Sequence, residues 1–188
     1  MHRGYFTRHN LKFKPLSTHD DFNTRKDSVS SDIDVIGFHP TKRGPDKVWV
    51  VSCKAWQGGF NPSAWATAIE QKKIISGREA WKAFRELCNK KWSEAFLATI
   101  EDATGTREFT YLTVVTLLSK RANPRIWEEN SHFRDALGGN PIKILTLGEM
   151  LDFLWPNLTT TPAASEIGRA IQLIKAANWR SPEPSKKR

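Results

Sequence analysis

An α/β fold, a mixed sheet flanked by helices, is what this sequence predicts, and two observations predict it. The chain opens with β-forming runs separated by breaker-rich loops. From Asn61 onward, strand-like runs alternate with stretches of helical periodicity. None of G-x-G-x-x-G, G-x-x-x-x-G-K-[ST] or G-x-S-x-G occurs, so the common nucleotide-cofactor and serine-hydrolase motifs are absent. Strands first, then strands alternating with helices, is the order of a sheet antiparallel at its start with helices on both faces.

The elements follow in order. "GYFTRHNLKFKP" is rich in β-formers and partly alternates, which predicts a strand or bent strand pair over Tyr5 to Lys14. Leu16 to Ser31 is polar and reads as a loop. Asp32 to Phe38 and Lys47 to Lys54 read as two strands joined by "HPTKRGPD", whose prolines and glycine stop any helix. Asn61 is placed to cap a helix with Pro62 at its first position, running to about Ile75. Gly77 then separates it from a second helical stretch, Arg78 to about Ile100. "FTYLTVVTLL", Phe109 to Leu118, is the strongest strand signal in the chain. A helix at "NPRIWEENSHFRDAL", a short strand at "PIKILTL" and a helix at "GEMLDFLW" complete a domain over 1–155. A C-terminal helix over 163–178 and a disordered basic tail over 180–188 follow.

The 188 residues suffice for one domain with a real core. A net charge of +9 is far from ordinary and points to a polyanionic partner, nucleic acid before an anionic membrane surface. No apolar run approaches the ~18 residues of a membrane span, and the N-terminus lacks the apolar core of a signal peptide. Cys53 and Cys88 make neither a disulfide framework nor a zinc spacing, and the five histidines are scattered. The expected location is cytoplasmic, on the nucleoid in a bacterium.

Charged groups inside strand-like runs need a reason. Alternate residues of a strand share a face, so Asp32 and Asp34 are expected to point the same way, as are Val48, Val50, Ser52 and Lys54. Pairing the two strands would bring Asp34 near Ser52 and Lys54, beside the loop "AWQGGF". A carboxylate is a hard ligand for Mg²⁺ or Mn²⁺. A lysine beside it can orient a water or stabilise a hydroxide. The same pair would also serve as an ordinary ion pair in a half-buried sheet.

An aspartate in "DIDV", a hairpin, then an apolar strand ending in "SCK" resembles the PD-(D/E)xK nuclease superfamily, the restriction-endonuclease-like fold, over about Tyr5 to Leu147. The resemblance implies a core of order (α)βββαβ and divalent-metal-dependent hydrolysis of DNA. It implies that Asp34 holds the metal, that Cys53 offers its backbone carbonyl, and that Lys54 is catalytic. Two departures matter. Serine stands at position 52 where the family carries its second acid. Glu70, sixteen residues after Lys54, lies close to the spacing at which some members supply that acid from the following helix. Asp32 is its rival as a metal ligand. Gln71, expected on the apolar side of that helix, would join Ser52 in a polar wall. The family's first helix is also missing here: either it is dispensable or the start lies too far downstream, and its absence invites a homodimer or a larger complex.

DNA is the expected partner. Arg3, Arg8, Lys12 and Lys14 crowd the first strand, Lys42, Arg43 and Lys47 the hairpin, and Lys72, Lys73 and Arg78 the helices. Arg8, Arg43, Lys72 and Lys73 are the expected phosphate contacts, which bring affinity without sequence reading. Trp65, Trp81 and Trp92 read as core, whereas Trp56, just past Lys54, reads as a wall or wedge. The alternative is a module of the same fold that binds nucleic acid without cutting it, a subunit of a defence or repair complex.

Overall fold

The computed structural model describes residues 4–56, 58–157 and 166–177. Arg3, the first residues of the 163–178 helix and the basic tail therefore lie outside the described residues. Five strands form one sheet in the order β1 (Phe6–Phe13), β2 (Ser31–Phe38), β3 (Val48–Lys54), β6 (Thr110–Val115) and β7 (Ile142–Thr146). β1, β2 and β3 run antiparallel, while β6 is parallel to β3 and β7 to β6. The α/β class and the sheet's antiparallel start match the sequence expectation.

The β3-to-β6 crossover carries α2 (Pro62–Glu70), α3 (Arg85–Cys88) and α4 (Lys90–Thr104). Asn61 caps α2 as its sequence predicts, its side chain accepting the Ala64 N–H at 3.1 Å with Pro62 next in line. α4 ends where Gly105, at φ 71°, takes the left-handed conformation and returns its N–H to the Glu101 carbonyl.

One expectation fails between these helices. Arg78 to Ile100 is not one helix, and Lys72 to Glu79 is not helical. Ile74–Ile75 (β4) and Arg78–Glu79 (β5) form a β-hairpin. Its two turn residues, Ser76 and Gly77, have φ of 50° and 77°, the pair of positive values a type I′ turn requires. The sequence signal was the β-branched pair followed by Ser-Gly, which helical periodicity on either side concealed.

Helices α3, α4 and α5 (Arg125–Glu128) all reach the sheet through one face. Tyr111 meets Glu86 of α3 and Phe96 of α4, and Trp127 of α5 donates its Nε1–H to the Thr113 hydroxyl at 3.0 Å. Phe60, Phe84, Trp92, Trp127 and Phe133 are fully buried here. Fully burying such a side chain contributes roughly 1.5–3 kcal/mol. Trp65 and Trp81 are only half-buried against this core, so of the three expected core tryptophans Trp92 alone is enclosed.

The alternation of β1 and β2 slips once. Ile36 pairs with Val50, and Val50 with Tyr111, so these three face α4. Phe13 also packs on α4, against Trp92 and Phe96, yet it belongs to the row of Leu11 and Ile33. Ile33 and Ile36, three apart, are therefore both buried on one side. The ladder omits the Asn10/Asp34 pair between them, and Asn10 has φ 55°. The irregularity thus falls at Asp34 itself, so simple alternation from Asp32 does not fix where the Asp34 carboxylate points.

The loop between β1 and β2 contains the short helix α1 (Thr24–Asp27), ended by a buried ion pair. Asp27, 1% exposed, accepts from Lys91 Nζ at 2.6 Å, from the Asn23 N–H at 2.7 Å and from Trp92 Nε1. Burial alone would raise its pKa, but Lys91 and the hydrogen bonds outweigh it and hold the carboxyl below its ordinary range.

By compact contacts the chain divides after Leu147. The first unit holds the sheet, with α6 (Ser131–Ala136) preceding β7. The second holds α7 (Leu147–Asn157), apart from its first residue, and α8 (Glu166–Ala176), where Lys175 Nζ donates to the Trp155 carbonyl at 2.9 Å.

A carboxyl whose folded pKa is depressed stabilises fully above its unfolded value, about 3.9, and loses that contribution as the pH falls toward the folded value. Asp27→Asn is expected to be less stable than the parent at pH 7, with the gap closing below about pH 4. Urea unfolding across that range measures it, and a gap independent of pH would contradict the pairing. Lys91→Ala, which strands a buried carboxylate, should cost about 3–5 kcal/mol at pH 7.

Candidate active site at the open end of the β2–β3 ladder

The β2–β3 ladder runs from Phe38↔Val48 to Val35↔Val51 and stops there. The next residues, Asp34 and Ser52, stand where the two strands part. Asp34 spans the opening with its side chain, its Oδ2 accepting the Cys53 backbone N–H at 2.6 Å. Lys54 follows on β3, half-buried, its ammonium 5.1 Å from the centroid of the Phe84 ring. Asp34, Ser52, Cys53 and Lys54 are thus brought together at one end of the sheet.

Cys53 is exposed, but its thiol is not activated. Burial of part of its surroundings and the Asp34 charge raise its pKa, against a smaller lowering by Lys54. A protonated thiol is a poor nucleophile and a poor metal ligand. The chemistry here belongs to oxygen and nitrogen groups.

Behind the opening lies a buried polar chain that the sequence did not announce. Tyr111 donates to Glu86 Oε1, and the Ser52 hydroxyl faces the same phenol and offsets part of the upward push on its pKa. Ser52, Glu86 and Tyr111 are all buried. Burial, then the Glu86 and Asp34 charges, push the phenol's pKa well up, so it stays a hydrogen-bond donor. The only sequence signal for Glu86 was a charge inside the apolar stretch "AFRELC", and its partner lies on another element.

The remaining expected site residues stand apart. Asp32 is ion-paired at the surface with Lys12, its partner across the ladder, at 2.6 Å. Glu70 ends α2 and is exposed, and no contact joins it to Asp34 or Lys54 among the described residues. Gln71 corrects its expectation: it is exposed, not on an apolar face, because the helix ends there and its N–H turns back to the Thr67 and Ile69 carbonyls. Arg8, Arg43, Lys72 and Lys73 are all exposed, Lys72 with φ 51°.

The loop after Lys54 is pinned in place. The Phe60 N–H donates to the Leu117 carbonyl at 2.8 Å, and the Ser119 N–H to the Phe60 carbonyl at 2.9 Å. Gly59 makes this approach feasible, with φ 84° and space for no side chain: a Cβ would stand 3.1 Å from the Ser119 nitrogen. Trp56, in this loop, lies flat on Trp65 with centroids 4.3 Å apart.

Among the described residues, Asp34 is the carboxylate at this opening, and a carboxylate oxygen is the donor type that a hard divalent cation takes. A carboxylate has about four lone-pair sites, so one N–H does not exhaust Asp34. No group of three or more His, Cys, Asp or Glu side chains converges among the described residues, which disfavours a closed all-protein cage. Mg²⁺ typically uses one or two carboxylates and keeps several waters. Comparison with protein-family models, curated proteins and solved structures finds no match to this chain.

Two measurements check this geometry. Asp34→Asn keeps an acceptor for the Cys53 N–H but removes the charge that raises the thiol's pKa, so alkylation of Cys53 at pH 8 should speed up. Lys54→Met should slow it. Cys88, pushed up to about 12 by burial, stays silent. Rates unaffected by either substitution would mean that the charges do not converge. Tyr111→Phe, which leaves Ser52 and Glu86 without their shared partner, should cost about 1–3 kcal/mol in urea unfolding.

Proposed function

We propose that this chain is a divalent-metal-dependent DNA nuclease of restriction-endonuclease-like fold. The observation that carries the reading is the Asp34 carboxylate docked on the Cys53 N–H where β2 and β3 part, with Lys54 next on the strand. The topology supports it: an antiparallel three-strand meander, a helical crossover and a parallel fourth strand give the order βββαβ.

In this reading Asp34 and the Cys53 carbonyl would hold Mg²⁺ or Mn²⁺. Such an ion, when bound, lowers the pKa of a coordinated water and offsets charge on the phosphate. The chain's own residues do the rest. Lys54 holds the attacking water by its ammonium and adds positive charge opposite the phosphate as negative charge develops there. The Phe84 ring beneath it restricts where that ammonium rests. Glu86 fixes Tyr111, and Tyr111 fixes Ser52, so the end of β3 is held by a satisfied buried chain. Arg8, Arg43, Lys72 and Lys73 are free to meet phosphates at the surface. A second acid, if one takes part, comes from Glu70 or from Asp32 released by Lys12.

A second reading has its own support. Ser52 stands where an acid would be, and Glu70 faces solvent, which favours a module that binds nucleic acid without cutting it.

Cleavage of supercoiled plasmid and linear duplex in Mg²⁺, Mn²⁺ or EDTA separates the two. A nuclease should cut only with a divalent ion, and Asp34→Ala and Lys54→Ala should each lose at least about 100-fold in rate while folded and still binding DNA. Salt-sensitive binding without cutting in any ion would overturn the nuclease in favour of the binding module. Full activity in either variant would remove the proposed site.

A further inference from the structure

Beside the candidate site the fold holds a cavity of about 550 Å³ that the chemistry above does not use. It lies between the crossover's hairpin and its aromatic cluster. Trp56 and Trp65 line it with their stacked rings, Ile75 and Arg78 come from the hairpin, and Lys82 and Arg85 from the segment beyond. We propose that this cavity receives the base of one unpaired nucleotide of a nucleic-acid strand, stacked against the Trp56–Trp65 pair, with its phosphates met by Arg78 and Arg85.

Four observations carry it. The volume falls in the range of sites that enclose small molecules, roughly 300–1,000 Å³. The lining joins flat aromatic surface to cationic side chains, with Glu79 as the one acid, already paired to Lys82 at 2.8 Å. That combination repels a cationic ligand and fits one that is planar and anionic at once, which is a nucleotide. Arg85 is the third observation. Its guanidinium lies 4.4 Å from the centroid of the Trp92 ring, and its buried Nη1 has no hydrogen-bond partner. A guanidinium nitrogen without an acceptor is costly to bury, so Arg85 carries donor capacity that the fold does not use.

The fourth observation is position. Phe84, fully buried behind the cavity, links the two sites: Lys54's ammonium sits over its ring, and Trp56 and Trp65 meet it edge-on with centroids 5.8 and 5.9 Å away. A strand whose base fills the cavity can therefore carry a neighbouring phosphate past Lys54. The indoles, only 4.3 Å apart, leave no room between them, so the base extends the stack from outside. The inference deepens the nuclease reading and rests on it for the role of Lys54, but the base site itself requires no cleavage.

The test is run in EDTA, where cutting plays no part. Fluorescence anisotropy compares a short single-stranded oligonucleotide with an abasic strand of the same length and charge. The base site predicts that the abasic strand binds about tenfold or more weakly, the scale of one base–indole stack. Trp65→Ala should remove that preference while leaving the abasic affinity unchanged, and Trp65→Phe should restore part of it. Equal affinity for the two strands in the parent protein would overturn the proposal without touching the nuclease reading. So would a Trp65→Ala variant that weakens both strands alike. Base-dependent binding in a protein that never cuts would support the cavity and sink the nuclease instead.

Discussion

The slip in strand alternation at Asn10 and Asp34 is the constraint on which the rest of this sheet depends. A regular β1–β2 pair would turn either Leu11, Phe13 and Ile33 or Ile36 toward the helices, never both sets. One residue pair left out of the ladder lets both rows bury themselves against the same layer, where each apolar side chain contributes its share of the core. The strain is absorbed by Asn10, a residue type that tolerates left-handed backbone. The pair-mate of that irregularity is Asp34, released from ladder duty at the place where β2 and β3 separate. Core packing and the candidate site are thus consequences of the same local departure from regularity.

What surrounds Asp34 is organised for polarity without mobility. The Cys53 N–H, the Lys54 ammonium on the Phe84 ring, and the chain from Ser52 through Tyr111 to Glu86 each fix one group by another. Cationic side chains with partners in the fold, such as Lys12, Lys42 and Lys91, serve the protein's own structure. Exposed cations such as Arg43 and Lys73, for which the described residues show no side-chain partner, carry the chain's excess charge into solvent.

Local signals carried much of this into the sequence. The capping asparagine with its proline, the two apolar strand runs and the long run before Leu118 were legible because each depends on neighbours within a few residues. The meeting of Asp34 with Cys53 and Lys54 was legible because two adjacent strands and one hairpin suffice to bring it about. Glu86 was not, since its partner Tyr111 lies beyond a whole helix. The burial of both Ile33 and Ile36 on one side was not foreseen, because alternation is a rule for regular strands and nothing in "SDIDVIGF" marks where regularity ends. The hairpin at Ile74 was hidden by helical periodicity on both sides of it.

The buried pair of Asp27 and Lys91 has a consequence for the order in which the chain assembles. It joins the loop between the first two strands to a helix more than sixty residues further on, and Trp92 makes the same long closure, its partner 65 positions away. Closing so large a loop costs entropy before any contact repays it. The buried Asp27 carboxylate is satisfied only once α4 has docked, so the loop of the opening strand pair draws part of its final stability from the crossover.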